Sequence, residues 1–253
     1  MQKSKIGMSN TNKQGCLMVI AEYNTSKSVV VEFVDNHKAR VHTSYYCFLS
    51  GSVKNPYFPS VLSVGYPGIG EHGCSVNNKD TPQYTSWYGM LTRCYNDSLR
   101  TKMPTYEKCI VHSDWHNFQN YATWYNDNIY KCGDENVHLD KDLLIKNNKI
   151  YSSATCVFVP ERINKLINIK RNQNLPIGVT YIARRERYIS SIRKGGKRVR
   201  LGYFHNPLDA FAVYKEAKES YIKQVADLYK SRYPQFPVTL YNALYKYTVE
   251  IDD

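Results

Sequence analysis

The stretch whose reading decides the fold is VHLDKDLLIKNNKIYSSATCVFVPERIN, residues 137–164. A short β-type run, a polar turn around Asn147-Asn148, a second apolar run and the segment PERIN predict strand, turn, strand and helix, with the helix opening near Pro160. Proline suits a first helical turn because the N–H it lacks has no partner there. Asp140 then ends the first strand, and Asn164 falls on the helix about two dozen residues later. His138 shares a strand face with Asp140, because side chains two apart point the same way. Either this polar set forms a functional site or it trims a hairpin. On the second reading Asp142 is a salt-bridge residue, Asn147-Asn148 a plain turn, and Asn164 and His138 surface side chains.

Working outward, residues 176–230 read as β-β-β-α. IGVTYI, RYISSIRK and RVRLGYF are the strands, Gly195-Gly196 joins the last two, and Asn206-Pro207 starts a helix as N-cap and first residue. Phe211, Tyr214, Tyr221, Val225 and Leu228 form the apolar stripe expected for that helix. Ten basic residues crowd positions 170–200 (Lys170, Arg171, Arg184, Arg185, Arg187, Arg193, Lys194, Lys197, Arg198 and Arg200), against one acid, Glu186. Alternation puts Arg187, Ile189, Ser191 and Arg193 on one face of the middle strand, and Arg198 and Arg200 alternate with Val199 and Leu201. The sheet therefore has an apolar face for the helix and an arginine face for something else. Planar guanidinium forks suit phosphates and guanine edges. A solvated basic face is the plain alternative, but alignment across neighbouring strands favours nucleic acid.

Towards the N-terminus, CLMVIAEY, SVVVEFV and KARVHTS between Cys16 and Ser44 are β-type runs separated by turns, and predict a small SH3-like, barrel-like domain. Pro- and Gly-rich sequence between about residues 52 and 80 marks a boundary. Residues 84–130 turn helical and aromatic, with Trp115, Phe118, Tyr121, Tyr125 and Ile129 at helical spacing. The expected division is 1–75, 80–170, 171–232 and a tail, 233–253, for which the pattern predicts nothing definite.

Composition bounds the partners. The 253 residues are 42% hydrophobic, enough for several small cores. Lys+Arg number 34 against 22 Asp+Glu, a net +12, which favours polyanions through counterion release. No apolar run is long enough to span a bilayer, so no membrane partner and a cytoplasmic setting are expected. Seven scattered cysteines without a C-x-x-C pair argue against a zinc ribbon and a disulfide framework. Cys109, His112 and His116 have a spacing that zinc uses, but no fourth ligand is evident, and packing at a strand-to-helix junction explains them equally.

Two resemblances follow from these motifs. IGVTYIARRERYISSIRK with RVRLGYFHNPLDAFAVYKEA resembles an AP2 domain, whose three-stranded sheet lies in the DNA major groove. Carried over by position, the readout residues are Thr180, Ser191, Arg193 and Arg200, flanked by Arg184, Arg185 and Arg187, with Lys197 and Arg198 adding to the basic face. Plant members have tryptophans and a glutamate where this chain has Arg200 and Ser191. SWYGMLTRCYN, YEKCIVHSDWHNFQNY and the 137–160 hairpin resemble the phage HNH homing endonucleases that carry an AP2 domain. That resemblance implies a divalent cation such as Mg²⁺ held by Asp140 and Asn164, a structural turn at Asn147 or Asn148, and hydrolysis of double-stranded DNA. HNH enzymes place histidine where this chain has Lys141. A lysine, with a reference pKa of about 10.4, is a poor base, so His138 takes that role and Lys141 a phosphate contact. The expectation is thus a multi-domain α+β DNA endonuclease without a small-molecule cofactor. The rival is a DNA-binding regulator or defence inhibitor with a degenerate finger, and RNA is a further polyanion to be tested.

Overall fold

The computed structural model describes residues 5–168 and 175–251. Among them the protein is mixed α+β, with several small sheets and seven α-helices. β1 (Ser9–Thr11), β2 (Leu17–Thr25), β3 (Ser28–Phe33) and β4 (Arg40–Thr43) form an antiparallel sheet in sequence order. Met18 and Ile20 stand opposite Phe33 and Val31, and this face packs with Val29 under Phe48 of α1 (Tyr45–Leu49). Burying each such side chain is worth about 1.5–3 kcal/mol. α1 begins where the Ser44 hydroxyl accepts the Cys47 N–H. The expected barrel does not form: β1 and β4 are edges, three and four residues long, too short to tilt and pair with each other.

β5 (Ser75–Val76) and β6 (Lys79–Asp80) make a hairpin on left-handed Asn77 and Asn78. Thr81 then caps α2 (Pro82–Tyr95), which is followed by α3 (Asp97–Lys102), β7 (Ile110–Val111) and α4 (Phe118–Asn128). The aromatic stripe is realised in pieces. Phe118 and Tyr121 are buried on α4, while Trp115 sits in a 3-10 turn before it, its carbonyl accepting the Trp87 indole N–H at 2.7 Å.

Beyond α4 the chain makes β8 (Val137–Asp140), β9 (Ile150–Tyr151), β10 (Val157–Pro160) and α5 (Glu161–Ile167). β9 pairs in parallel with β7, and β8 pairs antiparallel with β10. β11 (Val179–Ile182), β12 (Arg187–Lys194) and β13 (Lys197–Phe204) form the second main sheet, followed by α6 (Pro207–Arg232) and α7 (Val238–Tyr245). The chain divides into two compact units, Met1–Asp127 with Lys149–Ser153, and Asn128–Asn148 with Ala154–Asp253. The division does not follow the expected 80–170 module, because β9 belongs with its partner β7 while β8, β10 and α5 belong to the second unit. Lys170 and Arg171 lie outside the described residues.

In the second unit, Asn206 caps α6 by accepting the Leu208 N–H, with Pro207 first in the helix. The buried stripe is Ala210, Tyr214, Lys218, Ile222, Val225 and Tyr229; Leu228, expected inside, is exposed, one position around the helix from Tyr229. Gly178 has φ +76°, and a Cβ there would lie 2.1 Å from the Tyr214 ring, so this crossing admits only glycine. The tail is structured: Phe236, Leu240 and Leu244 are buried, and Val249 joins Ile177, Ile192 and Tyr214 in one core. Among the described residues, no helix is long and apolar enough to cross a membrane.

Candidate metal finger and nucleic-acid interface

β8 and β10 pair with Asp140 opposite Val157 and His138 opposite Val159, and α5 follows β10 directly. Asp140 turns the chain out of the strand, its Oδ1 accepting the N–H groups of Asp142 (3.0 Å) and Leu143 (2.8 Å). The loop is closed at its far end, where the Asn148 amide donates to the Lys141 carbonyl at 2.7 Å. Asn147 beside it is left-handed at φ 65°, a conformation asparagine tolerates better than most residues. Asp140 and Asn164 line one cleft of about 150 Å³, with Asp142, Asn147 and Asn168 also on its wall. The Asn164 Oδ1 accepts from the Asn168 amide, one helical turn on.

Burial, and then the charge of Asp142, push the Asp140 carboxyl up to about 6 in spite of its two N–H donors. Two carboxyls thus line the cleft, and that of Asp142 is paired with the Lys141 ammonium. Magnesium takes one or two carboxylates and keeps several waters, and a cleft of this volume holds a few waters at about 30 Å³ each. Asp140 and the Asn164 oxygen are the groups that would hold such an ion, since the Asp142 carboxylate is paired with Lys141. Among the described residues, no three His, Cys, Asp or Glu side chains form a metal-holding group. Cys109, His112 and His116 are engaged locally, by the Thr105 carbonyl, Asp114 and the Val111 carbonyl respectively.

Two expected catalytic side chains stand elsewhere. Lys141 is only 5% exposed, and its ammonium pairs with Asp142 at 2.9 Å rather than reaching the surface for phosphate. The chain leaves the strand at Asp140, so strand alternation no longer fixes where Lys141 points. His138 is exposed and does not line the cleft. It lies towards Glu161, whose carboxyl is held below the ordinary range by the Lys165 hydrogen bond and, to a lesser degree, by the charge of His138.

α5, which carries Asn164, is gripped at both ends by α6. Glu135 accepts the Arg162 N–H with one oxygen and the Tyr229 hydroxyl with the other. At the far end Lys218 donates to the Leu166 carbonyl at 2.6 Å. Lys218 is 3% exposed, and burial pushes its amine down to about 8. None of Glu135, Lys218 or Tyr229 stands out in the sequence, because nothing local marks a residue of one helix as the support of another.

The sheet is antiparallel in the order β11-β12-β13, its tip closed by Gly195 and Gly196 with φ 56° and 82°, as a two-residue hairpin loop needs. Ser191 pairs with Arg200 and Arg193 with Arg198, which puts all four on one face; Arg198 also donates to the Ser191 hydroxyl at 3.0 Å. Thr180 pairs with Ile189 and is exposed on the same side, and Arg187 pairs with Ile182. Arg184 and Arg185 lie in an exposed 3-10 turn that Glu186 ends in a left-handed conformation. Lys197 is the exception. It pairs with Lys194, whose ammonium sits 5.5 Å from the centre of the Tyr221 ring on α6, so alternation turns Lys197 towards the helix side.

Tyr203 was not foreseen on the arginine face. Plain alternation sets it opposite to Arg200, three residues away. The register shifts between Ser190 and Ser191, and Leu201 is the extra residue in β13. After this bulge Tyr203 stands opposite Ile189, on the arginine side. Gly202 inside a strand pattern was the available signal. Among the described residues, none of these arginines pairs with a carboxylate.

No protein-family model matches the chain, and neither the curated proteins nor the solved structures contain a significant match.

Proposed function

We propose that the chain is a site-specific DNA endonuclease of the HNH homing type, with the β11–β13 sheet as its reading surface and the β8–β10–α5 finger as its cutting site. The observation that carries this reading is that Asp140 and Asn164, far apart in sequence, line one cleft, in which the Asp140 carboxyl is buried and raised. Asp140 and Asn164 would hold a divalent cation there, Mg²⁺ for instance, which would supply electrostatic stabilisation to the leaving oxygen of a phosphodiester. Asp140 is fixed by its two backbone donors, and Asn164 by α5 and the supports of that helix. Lys141 pairs with Asp142, and Asp140 lines the cleft. His138, exposed and two residues from Asp140 on the same strand face, is the side chain that would take the proton of the attacking water. The unpaired arginines hold duplex DNA through its phosphates and major-groove edges.

A second reading, a DNA-binding regulator with a degenerate finger, is favoured by the buried Lys141 ion pair and by His138 lying off the cleft. One experiment separates the two. Plasmid and bacteriophage DNA are incubated with the protein and Mg²⁺, then with Mn²⁺, alongside gel shifts on duplex DNA and structured RNA. Endonuclease action predicts cuts at discrete positions, lost by roughly a hundredfold or more in Asp140→Ala while duplex binding is retained. Duplex binding with no cleavage under either ion selects the regulator. A preference for structured RNA removes the major-groove reading altogether.

A further inference from the structure

We propose that Tyr203 is a specificity-determining residue of the sheet, held between Arg185 and Arg200 so that their guanidiniums present fixed forks to guanine edges in the major groove. This rests on the DNA-binding reading above and adds to it the device that sets selectivity.

The argument starts from the bulge. Without the extra residue Leu201, Arg200 and Tyr203 would point to opposite faces; with it they are neighbours on one face. The Tyr203 ring centre is 5.1 Å from the guanidinium carbon of Arg185 and 5.1 Å from that of Arg200. These are distances at which a cation is attracted to an aromatic face. The two arginines come from different places, one from the turn before β12 and one from β13, and the ring is their common contact. Tyr203 is 38% exposed, so the ring is available at the surface and is not simply core.

An arginine on an open sheet face samples many rotamers, and ordering it on DNA opposes binding. Stacking on a ring fixes the guanidinium plane beforehand, and a planar fork matches the O6 and N7 acceptors of guanine. Two arginines ordered by one ring are therefore ordered together. Phosphate contacts need only charge and proximity, so loss of the ring should spare them. The plain alternative is that Tyr203 only covers Ile189, its partner across the strands, which is 6% exposed.

The two readings part on which variant keeps function. Wild type, Tyr203→Phe and Tyr203→Leu are used to select sites from a pool of randomised duplex DNA, and affinity is then measured over a range of salt. Phenylalanine keeps the π face, whereas leucine keeps apolar cover for Ile189 without it. The proposal expects the phenylalanine variant to select the wild-type site with wild-type discrimination. It expects the leucine variant to keep the salt slope and the affinity for random duplex but to lose roughly tenfold in preference at guanine positions. Wild-type discrimination in a folded Tyr203→Leu protein overturns the proposal, as does a phenylalanine variant that behaves like the leucine one. If the wild-type protein binds no duplex at all, the DNA-binding reading fails first and this inference fails with it.

Discussion

Asp35 in the first compact unit and Asp140 in the second make the same local turn. Each carboxylate accepts the backbone N–H groups two and three residues ahead, from His37 and Lys38 in one case and from Asp142 and Leu143 in the other. Their acidities move in opposite directions. Burial opposes ionisation at Asp35, but the Asn55 amide and the two N–H donors outweigh it and hold the carboxyl below its ordinary value. At Asp140 burial and the adjacent Asp142 win, and the carboxyl is pushed up. The sheets repeat the contrast. Arg40 on β4 is flanked by Glu22 at 2.8 Å and Glu32 at 3.6 Å, whereas the arginines of β12 and β13 have no carboxylate partner among the described residues. A turn motif or a basic residue is thus uninformative alone; the two regions differ in how far each charge is answered within the protein.

The strongest way to break this comparison is to remove unanswered and answered arginines in parallel. The double variant Arg193→Ala/Arg200→Ala is expected to bind duplex DNA roughly 30- to 100-fold more weakly at moderate salt, with a shallower salt dependence. Arg40→Ala, which removes a charge already balanced by two glutamates, is expected to stay within about twofold of wild type. Fluorescence anisotropy across a salt series reads both. Equal losses would mean that internal pairing does not separate the two sheets.

Much of this contrast was legible in the sequence. The arginine face followed from two-residue alternation, the finger from the distance between Asp140 and Asn164, and the start of α6 from Asn206-Pro207. What escaped depends on contacts that no short window contains. The Leu201 bulge exchanges faces within one strand and so hid Tyr203. Lys141 sits just past a strand end, where alternation stops applying. The first sheet stays open because its edges are too short, which a list of β-type runs does not reveal. α7 was unreadable because Leu240 and Leu244 are buried in a short helix whose packing on α6 no local pattern marks, and α6 supports α5 through residues that look like ordinary helix positions.

A smaller effect sharpens the aspartate pair. In the unfolded chain Asp140 loses its proton near 3.8, and in the fold near 6, so the folded protein binds more protons in between. Stability therefore falls as pH rises from about 4 to about 6, and the penalty persists above that. Asp140→Asn removes the charge and keeps an oxygen for the turn. It is expected to be more stable than wild type by ~2 kcal/mol at pH 7 in EDTA, with the difference vanishing below about pH 4. Asp35→Asn should do the reverse. Its lowered carboxyl contributes stability above the unfolded value, which is lost on acidification. The variant is expected to be less stable at pH 7 by under about 1 kcal/mol, since the site is exposed and screened. Urea unfolding of both variants at pH 4 and 7 checks the two signs.

Lys218 extends the comparison to a positive charge. No carboxylate among the described residues pairs with its ammonium, which donates to the Leu166 carbonyl inside the second unit. Below about pH 8 the amine is charged in both folded and unfolded chains, and the fold bears the cost of burying it. As pH rises beyond 8, the folded amine loses its proton first, while the unfolded one keeps it until about 10.5. The unfolded chain then binds more protons, so this residue makes stability rise with pH over that window. Lys218→Met keeps the packing volume and has no proton to lose. Other lysines and tyrosines titrate in both proteins, so the informative quantity is the difference between them. Wild type is expected to gain about 1 kcal/mol on the variant between pH 7.5 and 9.5, read from denaturant midpoints. Parallel curves would mean that this amine is solvated in the fold and that its charge is answered by water.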